Sequence, residues 1–88
     1  MKYFAALLNM KDPEKNAKFR QQHIDFLTQN EQAGKIFARG RFTDSSGGLV
    51  IYIAQSLEEA AKVAESDPYV VSGARLLELH EWDMKVAK

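Results

Sequence analysis

The chain predicts an α+β fold: a ferredoxin-like βαββαβ sandwich, with one four-stranded antiparallel sheet and two helices on one face. Three observations lead there. Apolar residues recur in the order strand, helix, strand, strand, helix, strand, the spacing switching between alternation and helical periodicity. Each helical stretch opens on a capping signal, and Asp67-Pro68 closes the second. Two split β-α-β units of this kind bring both helices to one side of a single sheet.

Residues 2–9 form a continuous apolar run of strand length. Tyr3, Ala5 and Leu7 share one face and Phe4, Ala6 and Leu8 the other, so both faces are expected to be covered. Asp12, Pro13 and Glu14 open a helix, as N-cap, first helical residue and acidic group at the positive dipole end. It is expected to run unbroken to Gly34, the natural residue just past a helix end. Its inward face gathers Ala17, Phe19, Ile24, Phe26, Leu27 and Ala33. Residues 35–42 read as a second strand, with Ile36, Ala38, Gly40 and Phe42 opposite Phe37, Arg39 and Arg41. Residues 43–48, TDSSGG, are a turn by composition and predict a hairpin into the third strand, 49–54.

That third strand is again apolar on both faces. Ser56-Leu57-Glu58-Glu59 is a capping box. It starts an alanine-rich helix with Leu57, Ala60, Ala61 and Ala64 inward, ending near Ser66. Residues 69–73 form a connector of about one turn, given the proline before it. Residues 74–82 are the fourth strand, with Leu77 and Leu79 opposite Leu76, Glu78, His80 and Trp82. Residues 83–88 are a polar tail, so the whole chain, 1–88, reads as one domain.

Two helices cover only one sheet face, yet the first and third strands are apolar on both. The uncovered face needs a partner, and a second copy of the same sheet is the simplest one. A homodimer packed sheet to sheet is therefore expected. A chain of 88 residues without cysteine has a thin core and no disulfides, which adds to the case for oligomerisation.

Composition narrows the function classes. Zero net charge argues against a nucleic-acid surface or an anionic membrane patch. No apolar run approaches the ~20 residues of a membrane span. The short apolar start is followed at once by charge, unlike an export signal, so a cytoplasmic protein is expected. Two histidines and no cysteine are too few for a convincing metal site. Gly47-Gly48 is no phosphate loop, since neither the lysine nor a helix start follows. Ser45 and Ser46 have no adjacent base, and His80 reads as a surface or interface residue.

His23 is the first chemical candidate. It falls on the inward side of the first helix, one turn after Arg20. It is either a core-edge histidine with a simple backbone partner or a general acid–base. Asp67 is the second. It caps a short turn, but it also follows the negative end of the alanine-rich helix, where a carboxylate calls for a nearby cation. His23 or Arg20 could supply it, and a carboxylate on one ring nitrogen would fix the tautomer. Arg39 and Arg41 alternate onto one strand face, for an anionic group or for solubility and edge protection.

Arg20-x-x-His23, Gly34, Gly40, Gly47-Gly48, Ser56-Leu57-Glu58-Glu59-Ala60, Asp67-Pro68-Tyr69 and Gly73 together resemble the YCII-related family over about residues 1–83. The resemblance implies the dimeric α/β-barrel version of the ferredoxin-like fold. It implies that His23 and Asp67 form the catalytic pair; Arg20, Arg41 and Tyr69 are the substrate-binding candidates beside it. That family is similar to muconolactone isomerases and includes a dehydrochlorinase of chlorinated hydroxyquinols, chemistry done without metal or organic cofactor. The chain departs where many relatives carry proline after the Gly40 position: Arg41 stands there. Should that segment line the pocket, the substrate would differ from theirs.

The leading expectation is a cofactor-independent enzyme, isomerase or lyase-like, moving a proton on a small cyclic or anionic molecule. The alternative is a non-catalytic ligand-binding or stress-associated homodimer in which the pair is structural.

Overall fold

The structure, a computed structural model, describes residues 1–87. It contains eight elements: β1 (Lys2–Met10), α1 (Pro13–Lys18), α2 (Arg20–Gln32), β2 (Ile36–Arg41), β3 (Gly47–Ala54), α3 (Leu57–Glu65), α4 (Pro68–Val71) and β4 (Arg75–Trp82). The strands form one sheet in the order β2-β3-β1-β4, every neighbouring pair antiparallel. This is the α+β ferredoxin-like fold, with β1 and β3 at the centre. Residues 83–87 form no regular element, and Lys88, the end of the expected tail, lies outside the described residues. Among the described residues no helix is long and apolar enough to cross a membrane.

The core lies between the sheet and the helices. Phe4, Ala6 and Leu8 of β1 and Val50, Tyr52 and Ala54 of β3 meet Leu27 of α2 and Ala60 and Ala64 of α3. Alternation thus sends the even residues of the two central strands inward. Their odd residues, with Leu76 and Trp82 of β4, lie on the opposite face, which no helix covers. Phe37, Leu76 and Trp82 are exposed there, and the Phe37 ring meets Tyr3 edge-on.

The caps behave as their residues dictate. Asp12 accepts from the Lys15 N–H and Ser56 from the Glu59 N–H. Gly34, at a φ of +75°, closes α2 in a Schellman motif: Lys35 N–H donates to the Asn30 carbonyl and Gly34 N–H to that of Glu31.

Three expectations are corrected. The first helix is two segments, because Phe19 leaves helical geometry (φ −101°, ψ 10°). The short α1 buries nothing, so Ala17 is exposed, as is Ala33 at the far end. Leu57 is exposed too, and α3 meets the core through Ala60 and Ala64, with Val63 partly buried beside them.

The third correction matters most for function. A bulge between Ile36 and Ala38 inserts one residue into β2, so Ile36 pairs with Tyr52 but Ala38 with Ile51. One extra residue reverses the parity of everything after it. Arg39 opposite Val50 and Arg41 opposite Gly48 therefore share the helix side of the sheet with Ile36, while Ala38 and Gly40 turn to the open face.

Candidate functional site

His23 sits in the first turns of α2, and Asp67 in the bend between α3 and α4. The pair is 44 residues apart in sequence, yet His23 Nδ1 lies 2.7 Å from Asp67 Oδ1. Asp67 is fully buried and His23 is 8% exposed. A carboxylate can only accept, so Nδ1 carries the proton and donates it to Oδ1, leaving the Nε2 lone pair free in the neutral ring. Among the described residues Nε2 has no protein partner.

Local structure holds the carboxylate in place. Pro68 starts α4, and Asp67 caps it by accepting the Tyr69 N–H at 2.9 Å, again on Oδ1. Oδ2 is buried without a protein partner among the described residues. Its charge reaches Tyr52, whose phenol is pushed far above its ordinary value by burial first and by Asp67 second.

Tyr69 forms the next layer. Its ring stacks on the His23 imidazole at 3.9 Å between centroids, and the guanidinium of Arg75 lies over the same ring at 4.3 Å. The imidazole takes one face of the phenol ring, so the guanidinium takes the other. Burial raises the Tyr69 phenol, opposed by Arg75 and then Arg20. Burial lowers the Arg75 guanidinium, opposed by Tyr69 and Asp67. Asn16 Oδ1 accepts from Arg75 Nε at 2.8 Å.

These groups border a cavity of about 320 Å³ at one end of the sheet. Its apolar wall includes Leu8, Ile24, Leu27 and Val50. His23, Arg20, Arg41 and Tyr69 all line it, together with Arg39 and Arg75. Asp67 lies behind His23 and does not. Among the described residues no Asp or Glu is on the wall. Arg39 is turned to Glu31 of α2, with its Nε and one terminal nitrogen 3.3 and 3.2 Å from the two carboxylate oxygens.

Reasoning from sequence missed Arg75 and Asn16. A signal for Arg75 was present: it shares the inward parity of β4 with Leu77 and Leu79, an odd place for a cation. Asn16 carried none, since α1 buries nothing and 59 residues separate the two partners.

The profile of the YCII-related domain matches residues 1–83. The uncharacterized protein YjpA of Bacillus subtilis (strain 168) is 34% identical over 83 residues, spanning 94% of this chain and 98% of YjpA. Among solved structures, the fold is similar to 5-chloro-2-hydroxyhydroquinone dehydrochlorinase (TftG) from Burkholderia phenoliruptrix AC1100, in complex with 2,5-dihydroxybenzoquinone. The TM-score is 0.79 at 18% identity, over 94% of this chain and 95% of that one.

Proposed function

The chain belongs to the YCII-related domain family, and from that premise we propose that it is a small enzyme in which His23 and Asp67 move a proton on a small organic substrate. The observation that carries this reading is the buried 2.7 Å contact, made by a ring whose other nitrogen is free on a side chain lining a cavity. One bonded ring nitrogen is enough to satisfy a structural histidine; what favours chemistry is that the second nitrogen is left free on a side chain that lines a cavity.

Neutral His23 takes a proton from substrate carbon or oxygen on Nε2. The imidazolium that forms faces a carboxylate, and the unpartnered Oδ2 leaves that carboxylate's charge little satisfied by other donors. The carbanion or enolate then has two exits. Reprotonation by His23 at another carbon is an isomerisation; expulsion of an anion such as chloride is an elimination. Neither route draws on a group outside the chain. TftG, by its name a dehydrochlorinase, has the same fold, so chlorinated hydroxyquinols belong in the test beside lactones.

The open sheet face is read as a homodimer interface. Tyr3, Leu7, Leu49 and Ile53 are half-buried there, and Phe37, Leu76 and Trp82 exposed, an apolar surface of the kind that soluble monomers seldom leave to water.

Turnover of a panel of lactones and chlorinated hydroxyquinols is the test, in wild type and His23→Ala. General acid–base catalysis contributes about 10²–10⁴-fold, and a loss of that size is expected. Turnover that survives the substitution removes His23 from the mechanism. Ligand binding with no turnover of any compound would favour the binding-protein alternative.

A further inference from the structure

Among the described residues the cavity wall carries four arginines and no carboxylate, and the four are not equivalent. Arg39 is held by Glu31. Arg20 and Arg41 are exposed side chains with no ion-pair partner among the described residues. Arg75 differs from all three. It is half-buried, one edge of its guanidinium is tied to Asn16, and its flat face rests on Tyr69. Among the described residues it too has no ion-pair partner. Gly48 makes room for it: a Cβ there would come within 3.2 Å of Arg75 Nη1 and 2.7 Å of the Gly40 carbonyl oxygen.

A partly desolvated cation, fixed in place and with no carboxylate in ion-pair contact among the described residues, is set up for an anion from outside. With Nε–H given to Asn16, the edge left open is the one formed by Nη1 and Nη2. Two parallel N–H donors on that edge match the two oxygens of a carboxylate. We propose that Arg75 is the specificity-determining anchor for a substrate carboxylate, which it grips end-on inside the cavity.

This deepens the enzyme reading and rests on it, because the anchor lies beside the His23–Asp67 pair. Tyr69 is the spacer, with the proton-transferring imidazole on one ring face and the anchor on the other. The substrate class is then a small carboxylic acid whose apolar body meets Leu8, Ile24 and Leu27, and whose reacting carbon lies a few bonds from its carboxylate. The volume fits, at the small end of the range of about 300–1,000 Å³ usual for ligand pockets. Arg20 and Arg41 add attraction at the mouth and lack a fixed geometry.

Calorimetric titration with benzoate, and with benzamide as its neutral isostere, tests the anchor without requiring turnover. Wild type should bind benzoate at least tenfold more tightly than benzamide. Arg75→Gln should weaken benzoate at least tenfold and leave benzamide unchanged. Arg75→Lys, which keeps the charge and loses the fork, should fall between. Asn16→Ala retains the arginine and frees it, so a loss of two- to tenfold for benzoate alone is expected. That variant serves as well if Arg75→Gln does not fold.

The proposal is overturned if wild type binds both probes alike or neither, or if Arg75→Gln holds benzoate as wild type does. Benzoate binding that depends on Arg75, without turnover of any acid, would keep the anchor and remove the enzyme reading. Turnover that depends on His23 and is indifferent to substrate charge would do the reverse.

Discussion

Replacing Asp67 by asparagine separates the charge of this side chain from its shape. Oδ1 accepts two hydrogen bonds, from His23 Nδ1 at 2.7 Å and Tyr69 N at 2.9 Å, and Oδ2 has no protein partner. In Asp67→Asn the amide oxygen stays at the Oδ1 position, because the Tyr69 N–H there can only donate. The NH₂ group takes the Oδ2 position, and the imidazole keeps its proton on Nδ1. Only the charge facing the imidazolium is lost. Hydrogen bonds to charged groups are worth about 1.5–3 kcal/mol against about 0.5–1.5 for neutral pairs. The imidazolium therefore loses about 1–1.5 kcal/mol of support, and a step that forms it slows about tenfold. Stability should fall by about 1–3 kcal/mol, because the NH₂ at the buried Oδ2 position finds no protein acceptor among the described residues, while the desolvation cost of the carboxylate disappears along with its benefit.

Asp67→Ala behaves differently. It strands both the Nδ1–H and the Tyr69 N–H at a fully buried position. At about 1–3 kcal/mol for each unpaired group, unfolding free energy should fall by about 2–6 kcal/mol, a large share of a stability of about 5–15 kcal/mol. Urea denaturation measures the stabilities, and ¹⁵N NMR of the His23 ring reports the tautomer. An alanine variant as stable as wild type would refute the reasoning. So would a wild-type ring protonated on Nε2 instead of Nδ1.

Gly47 has a φ of +143°, and a Cβ there would lie 2.0 Å from the Leu8 carbonyl oxygen. Gly47→Ala should therefore cost about 2–4 kcal/mol in strain and displaced backbone, read as a lowered urea midpoint. The Tyr52 phenol is held above its ordinary value of about 10. Above that pH the unfolded chain gives up this proton while the folded chain keeps it. Stability should then fall by up to about 1.4 kcal/mol per pH unit until the folded value is reached, and Tyr52→Phe should show a shallower alkaline decline in parallel melts. On the open face, Leu76→Glu with Trp82→Glu places charge on two exposed apolar positions. Sedimentation should show wild type as a dimer at micromolar concentration and the double variant as a monomer; a monomeric wild type would remove the sheet-to-sheet interface.

The order of elements, their caps and which residues share a face of β1, β3 and β4 were legible in the sequence; which face of β1 and β3 meets the helices was not, because both are apolar. Each rests on local physics: alternation along a strand, a side-chain oxygen over a helix N-terminus, a glycine past its end. Phe4 with Leu8, Val50 with Tyr52, and Leu77 with Leu79 share a face, as their parity says. Helix edges were less legible. Nothing in Lys18-Phe19-Arg20 announces a break, and Ala17 fits an amphipathic pattern that continues only on paper.

The site itself was decided by tertiary structure. Periodicity brought His23 to the core side of its helix, and the charge at the end of α3 asked for a cation near Asp67. Only the family resemblance paired the two in advance, because a contact across 44 residues depends on how α2 and α4 pack, and not on either segment alone. The β2 bulge carries the same lesson more sharply. One inserted residue has no signature in composition, yet it moves Arg39 and Arg41 from the open face to the cavity side. Arg75 was visible as a cation at an inward strand position. Its setting, with Asn16 on its edge, Tyr69 beneath it and Gly48 giving it space, exists only where α1, α4 and two strands converge. Sequence alone thus determined which faces are apolar and where elements begin. The three-dimensional packing determined which polar groups those faces leave without water, and that is where the chemistry lies.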